Sequence, residues 1–548
     1  MDDAPYSGAR ALVDALVAHG ARMVFGVPGE SYLAALEALR AMADDLPFIT
    51  CRHEAAAANM ADAYGKLTGS PGVAFVTRGP GATHASIGLH TAFQDSTPML
   101  LLIGQVARRM QDREAFQEID YRRFLSEVTK WTGEVGDPDR MAEYVGRAIS
   151  AATAGRQGPV ALALPEDVLS APARRQDVLS HPPVTAAPHA ADMDRVAAAL
   201  ARAERPLILL GGGPWTAAAA RALRGFAERH HIPVAVSFRS QSLLDNRSPV
   251  YAGHLGIGAN PELVARLQAS DCLLVVGPRL GEMTTAGYRR LDPVEPQPQL
   301  THVHAGAEEL GRVYRGGILI AAAPAAFAEA LAACDIRGDW SDWCAAAAAE
   351  EMAWRTPVPN PGAVQLAELY RILRAALPEE AIVTNGAGNY AAFLHRFFIY
   401  EGFRTQVAPT AGAMGYGVPA GIAASLVHRD RPVVTLAGDG CFLMSGNEIA
   451  TAVRYGARTV FIVMNNSMYG TIRMHQERSY PGRAFATDLT NPDFVAYAKS
   501  FGLEASRVAR TDDFAPALER ALASEGPALL EVIVDSRAIA PGRSLDTL

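Results

Sequence analysis

Residues Gly438 to Gly470 read GDGCFLMSGNEIATAVRYGARTVFIVMNNSMYG. The run leading into them, PVVTLAGDG (Pro432 to Gly440), is apolar until it breaks at two glycines around Asp439. It reads as a buried strand that presents a carboxylate at its C-terminal end. Leu443 to Tyr455 has helical composition, and TVFIVMNN (Thr459 to Asn466) is a second buried strand that ends in two amides. A strand, helix, strand unit in a parallel sheet brings both strand ends to one edge, where open α/β sheets bind ligands. Asp439 and Asn465 or Asn466 are expected to meet there. Oxygen donors of this kind suit magnesium, which takes one or two carboxylates and fills its other positions with phosphate and water. The small residues beside Asp439 let main-chain N–H groups approach a diphosphate. Either dipeptide alone would be no more than a turn or a strand cap.

Outward from this unit the same local grammar repeats. Short apolar runs ending in glycine or proline alternate with Ala/Leu-rich stretches: GVAFVTRGPGATHASIGLHTAF, then PMLLLIGQV, then GPVALALPEDV. This alternation predicts an α/β fold of three doubly wound parallel-sheet domains, over residues 1–168, 191–335 and 363–548. The first α/β unit runs from about Ser7 to Val168. LSAPARRQDVLSHPPVTAAPHA, which follows, lacks sustained periodicity and reads as a linker. RPLILLGGG opens the second unit, and the Pro-rich join WRTPVPNPG precedes the third.

Composition narrows the class. A chain of 548 residues exceeds one ordinary domain, and 49% hydrophobic with 20% charged residues suits a soluble globular protein. The formal charge of −8 and the lack of a basic tract argue against nucleic acid as a partner. No apolar run approaches the roughly 20 residues needed to span a bilayer, and the N-terminal MDDAPYSGARALVDAL has acids where a signal peptide is basic. No membrane partner and a cytoplasmic location are expected. The five cysteines (Cys51, Cys272, Cys334, Cys344, Cys441) lack CxxC spacing, against both a disulfide framework and a zinc site.

The GDG, the NN and their flanks resemble the signature of thiamine-diphosphate-dependent enzymes, and the agreement covers nearly the whole chain in order, closest to the acetolactate synthase group. By that resemblance Asp439, the Asn466 side chain and the Met468 carbonyl bind Mg2+, and Gly438, Gly440, Cys441, Tyr469 and Gly470 bind the cofactor. The aminopyrimidine of thiamine diphosphate needs a carboxylic acid against its ring nitrogen. Glu54, in FITCRHEAAAANMADAYGKLTG at the join of a short strand and an Ala-rich helix, resembles that acid. FGVPGESYL places Pro28 beside the pyrimidine, and TRGPGATHASIGLHTAFQDSTPMLLLIGQV, with Thr77 at its head, is similar to the TSGPGATN segment of acetolactate synthases. REAFQEID carries Phe116 and Gln117 toward substrate. TNGAGNY brings Gly386 and Asn389 to the diphosphate, and GAMGYGVPAG brings Gly412 and the wedge residue Met414 to the cofactor.

The resemblance implies a decarboxylating carboligase of a small 2-oxo acid such as pyruvate, with a second carbonyl, from a 2-oxo acid or an aldehyde, as acceptor. It also implies a homodimer or homotetramer, since the pyrimidine domain of one subunit faces the diphosphate domain of another. Departures leave alternatives open. The TRGPGATH segment and the GVPGESYL loop lack the histidines of aryl 2-oxo acid decarboxylases. The central domain has LGEM (Leu280 to Met283) for FDDR and HVHAG (His302 to Gly306) for HIDID, which puts FAD binding in doubt. His475 stands where a tryptophan shapes acceptor choice, as a candidate catalytic residue or an exposed histidine. A 2-hydroxyacyl-CoA lyase or oxalyl-CoA decarboxylase, a benzaldehyde-lyase-type enzyme and a non-catalytic scaffold remain as rival readings.

Overall fold

The computed structural model describes residues 6–295 and 298–548. Among the described residues, eighteen strands form three six-stranded sheets in which every strand pair is parallel, and Ala538–Ala540 pairs antiparallel with Arg543–Ser544 in a separate two-stranded sheet. The first sheet contains β1 (Val24–Gly26), β2 (Phe48–Thr50), β3 (Gly72–Val76), β4 (Met99–Gln105), β5 (Trp131–Glu134) and β6 (Pro159–Pro165) in the order β2-β1-β3-β4-β6-β5. The second contains β7 (Pro206–Leu210), β8 (Val234–Val236), β9 (Tyr251–His254), β10 (Cys272–Val276), β11 (Gln299–His304) and β12 (Ile318–Ala321) in the order β12-β11-β10-β7-β8-β9. The third contains β13 (Ile382–Asn385), β14 (Gln406–Val407), β15 (Val433–Gly438), β16 (Thr459–Asn465), β17 (Glu504–Val508) and β18 (Ala528–Ile533) in the order β14-β13-β15-β16-β18-β17. The first and third orders are the same permutation. The middle one is the doubly wound order of dinucleotide-binding folds.

The apolar runs explain the strands. All seven residues of β4 (MLLLIGQ) and of β6 (PVALALP) are buried, as expected where helices cover both faces of a parallel sheet. The three-domain α/β architecture expected from the sequence is thus the fold. The chain packs into two compact units, one formed by the residues up to Val184 with 409–429 and 443–458, the other by 185–408, 430–442 and 459–548. Among the described residues no helix is long and apolar enough to cross a membrane.

Six helices position the residues discussed below: α1 (Glu54–Thr68), α2 (Pro80–Asp95), α3 (Gly417–Val427), α4 (Asp439–Leu443), α5 (Ile449–Tyr455) and α6 (Gly470–Ser479). The helical stretch expected over Leu443 to Tyr455 is broken. α4 ends at Leu443, Ser445 leaves helical geometry at φ −148°, and a 3-10 turn at Gly446–Glu448 precedes α5. The break turns Glu448, which is fully buried, onto the main-chain N–H groups of Arg52 and His53, each 2.9 Å from its Oε1.

Candidate active site

In the second unit, β13, β15 and β16 are neighbours, so the residues at their C-terminal ends share one edge of the sheet. Gly386, Asp439 and Asn466 follow these three strands directly. Asp439 is 3% exposed, and its carboxylate accepts from the Gly440 N–H at 2.9 Å and from the Asn491 side-chain amide at 2.8 Å. Burial raises the Asp439 carboxyl above its ordinary range, against the lowering effect of these bonds. Asn491 also donates to Asn465 Oδ1 at 3.0 Å, so one amide joins the two strand ends that the sequence predicts will meet. Asn491 itself was not foreseen, because nothing in its surroundings, TNPDF, marks it in the chain.

After β16 the backbone turns back on itself. Ser467 has φ +54°, Met468 N–H lies 3.3 Å from Asn466 Oδ1, and the Met468 carbonyl accepts from Gly470 N–H at 3.0 Å. Asn466 and Met468 therefore offer oxygens on one turn. Tyr469 closes over Gly440, where a Cβ would lie 2.6 Å from the Tyr469 ring, so only glycine fits. A Cβ on Gly438 would meet the Tyr390 ring at 3.4 Å, and Cys441 is buried behind it. Gly386 is held on both sides: its N–H donates to Tyr390 Oη at 3.0 Å and its carbonyl accepts from Arg239 at 2.9 Å.

Buried polar atoms at this edge without a protein partner include Asn385 Oδ1, Asn389 Nδ2 and Asn491 Oδ1. Asn389 is fixed through its other atom, Oδ1, which accepts from Thr471 Oγ1 at 2.8 Å. An orphaned donor, a buried carboxylate and a glycine cradle together fit a magnesium diphosphate: the carboxylate and carbonyl oxygens are hard ligands for the ion, and the amide N–H groups suit phosphate oxygens. His475 stands apart from this cluster in being exposed, on α6, a helix with no buried residue.

The first unit assembles the other predicted residues. Glu54 is the first residue of α1, and its side chain is 13% exposed. Its Oε2 lies 2.9 Å from His84 Nδ1 in the first turns of α2. A Cβ built on Gly81 would lie 3.6 Å from Glu54 Oε1 and 2.9 Å from Thr77, so the glycine keeps that side of the carboxylate open. Thr77 Oγ1 is 2.9 Å from Ser31 Oγ, beside the loop that carries Pro28. Gln117 adopts φ +64° and packs against Gly79, while Phe116 is 72% exposed beneath the Arg78 guanidinium. Gly412 has φ +70° with open space around it, and Met414, two residues on, is half-buried.

That Gly412 loop is tied down by charge. Asp95, at the end of α2, accepts from the main-chain N–H groups of Thr410 and Ala411, at 3.1 and 3.2 Å, and from the Thr410 hydroxyl. Lys66 bridges Asp95 and Asp62, and Tyr416 donates to Asp62 at 2.6 Å. His84, Glu448, and the Lys66 cluster escaped the sequence reading, since contacts more than twenty residues apart leave no local pattern.

Residues 6–124 match the family model "Thiamine pyrophosphate enzyme, N-terminal TPP binding domain", residues 193–331 the corresponding central domain and residues 386–532 the C-terminal TPP binding domain. The chain is similar to the acetolactate synthase large subunit of Parasynechococcus marenigrum (32% identity, covering 96% of this chain and 87% of that protein). It is likewise similar to acetolactate synthase isozyme 2 large subunit of Escherichia coli (30%, with 96% of each covered) and acetolactate synthase of Bacillus subtilis (30%, with 96% and 93% covered). The chain belongs to the thiamine pyrophosphate enzymes, as a thiamine-diphosphate-dependent, carbon–carbon bond-forming enzyme of the acetolactate synthase type, with Mg2+ as the family's usual metal partner.

Proposed function

We propose that the enzyme is a decarboxylating carboligase that takes a small 2-oxo acid, pyruvate being the first candidate, as donor and a second carbonyl compound as acceptor. Thiamine diphosphate, when bound, supplies the carbanion equivalent that adds to a carbonyl carbon. The protein's contribution is to hold, to orient and to move one proton. Asp439, the Asn466 side chain and the Met468 carbonyl would hold Mg2+, and Gly438, Gly440 and Cys441 would lie along the diphosphate, with Asn389 Nδ2 as a donor to it. Gly438, Gly440, Tyr469 and Gly470 shape the cradle, Gly386 lines its approach, and Gly412 belongs to the cofactor-binding set.

Glu54 Oε1 carries the proton that is exchanged with the pyrimidine ring nitrogen, which Pro28 and Thr77 flank. Met414 wedges the two rings of the cofactor, and Phe116 and Gln117 face substrate. His475 is assigned to the acceptor side. The reading includes a homodimer or homotetramer with Glu54 of one subunit serving the diphosphate domain of another, a cytoplasmic location, and domains at 1–168 (pyrimidine), 191–335 (central) and 363–548 (diphosphate).

The observation that carries the proposal is the convergence of Asp439, Asn491 and Asn465 at the edge that also holds the orphaned Asn389 amide. A flavin-free reading of the central domain goes with it. His302 Nε2 is engaged by the Pro278 carbonyl at 2.9 Å, His304 Nδ1 lies 3.0 Å from Gly306, and Trp215 donates to the Gly211 carbonyl at 2.9 Å. The polar groups at the ends of β7 and β11 are therefore turned inward rather than offered to a dinucleotide. An NMR time course of the protein with thiamine diphosphate, Mg2+ and pyruvate, without FAD, tests the proposal. Acetolactate is the expected product, and unchanged pyruvate with cofactor bound would refute the donor assignment.

A further inference from the structure

Away from the magnesium cradle, the described residues place one cluster of metal-ligating side chains together: His53, Glu54 and His84. Each offers one ligand atom, and these atoms lie within 4.8 Å of one another. His84 Nδ1 is 2.9 Å from Glu54 Oε2, and the His53 and His84 rings stack with centroids 4.5 Å apart. Two imidazoles and a carboxylate are the ligand set of zinc sites that keep an open fourth position. Tetrahedral zinc with bonds of about 2.0–2.1 Å holds its ligand atoms roughly 3.3 Å apart. The widest separation here must close by about 1.5 Å at most, within reach of small rotations of the exposed His84 ring.

The backbone beneath the cluster is fixed. His53 caps α1, Glu54 begins it, and His84 lies near the start of α2. α1 and α2 approach so closely that a Cβ on Gly88 would lie 2.3 Å from the Ala58 Cβ. The third ligand, His84, stands where the TSGPGATN segment similar to this one has an asparagine, and an amide is a poor zinc ligand beside an imidazole. One local bond opposes the metal. His53 Nδ1 accepts from the Ala55 N–H at 3.1 Å, and coordination through the other nitrogen requires the ring to change tautomer and give up that cap.

We propose that His53, Glu54 and His84 form a site for a zinc-class divalent transition metal, and that filling it withdraws Glu54 from the pyrimidine, so that metal and cofactor compete. The inhibitory half rests on the reading of Glu54 as the activating acid; the binding half does not. Titration of the full-length, cofactor-free protein with Co2+ tests the site. A strong visible absorption of four-coordinate cobalt is expected, saturating at one equivalent and displaced by Zn2+. The apparent affinity should fall at least tenfold in His84→Asn and in His53→Asn, which keeps a capping side chain, and in the presence of thiamine diphosphate with Mg2+.

Only the weak absorption of six-coordinate cobalt, or a four-coordinate signal that His84→Asn leaves unchanged, would overturn the proposal. In the holoenzyme, Zn2+ should stop turnover at concentrations that His84→Asn raises at least tenfold. Cobalt binding that depends on His84 but leaves turnover intact would uphold the metal site and reject the assignment of Glu54.

Discussion

Replacing Lys66 by methionine is the sharpest test of how the first unit is held together. Lys66 Nζ bridges Asp62 at 2.8 Å and Asp95, whose side chains are 0% and 2% exposed. Burial first, and the neighbouring Asp95 carboxylate, lift the Asp62 carboxyl above its usual range even with the ammonium beside it. Burial also works against the Lys66 charge, but the two carboxylates outweigh it and hold the ammonium above its ordinary value. Methionine keeps the length of the side chain and removes the charge, leaving two facing buried carboxylates. Removing one partner of a buried ion pair typically costs about 3–5 kcal/mol.

For a cooperative unit of 150–250 residues, each kcal/mol shifts Tm by roughly 2–4 °C, which predicts a loss of about 6–20 °C. The pH dependence has a definite sign. A carboxyl raised in the folded state is protonated in both states at low pH and opposes folding as pH rises through its folded value. Without the ammonium, the Asp62 carboxyl is raised further, so the deficit of Lys66→Met should be large at pH 7 to 8 and shrink toward pH 4. Thermal scans by circular dichroism across that range measure it. A deficit below about 1 kcal/mol, or one that does not change with pH, would refute the charge argument.

Four other outcomes are expected. Glu54→Gln should lower turnover by about 10²–10⁴-fold while leaving thiamine diphosphate affinity nearly intact, and normal turnover would reject Glu54 as the activating acid. Asp439→Ala should lose Mg2+-dependent cofactor retention, read by equilibrium dialysis. Asn491→Leu removes the amide that joins Asp439 to Asn465 and should weaken Mg2+ binding by about 10–100-fold; an unchanged affinity would leave Asn491 a spacer. Gly440→Ala forces a methyl group to 2.6 Å from Tyr469 and should cost about 1–3 kcal/mol in a thermal scan, with cofactor affinity falling in parallel.

What the sequence disclosed follows from how each contact is encoded. β4 and β16 are continuous apolar runs, so their burial was written into local composition, and parallel-sheet geometry alone brought Asp439 to the same edge as Asn465 or Asn466, the resemblance choosing Asn466. Glu54 needed the resemblance, because a glutamate at a helix start is ordinary. His84 was visible as a letter but not as a partner, since only the packing of α1 on α2 brings it within 2.9 Å of Glu54. The break at Ser445 was masked by residues of good helical composition on both sides of it. Ser445, Gly446 and Asn447 are themselves weak helix formers, but that short local signal was outweighed by the flanks.

That break repays closer argument, because it connects two motifs that the sequence shows as separate. An unbroken helix from Leu443 to Tyr455 would satisfy its own backbone and give Glu448 no reason to be buried. In the structure Glu448 is enclosed, with Oε1 accepting the N–H groups of Arg52 and His53 and Oε2 accepting the Thr451 hydroxyl at 2.6 Å. Burial raises its carboxyl, while the Thr451 hydroxyl and the two main-chain N–H groups act to lower it. Those N–H groups belong to the two residues just before Glu54, so the segment between GDG and NN fixes the peptide from which the Glu54 side chain extends. A carboxylate at the positive end of a fifteen-residue helix is also favourable in its own right. The stretch between GDG and NN is therefore part of what positions Glu54, and its sequence is constrained by its contacts with Arg52 and His53 as well as by its own helix.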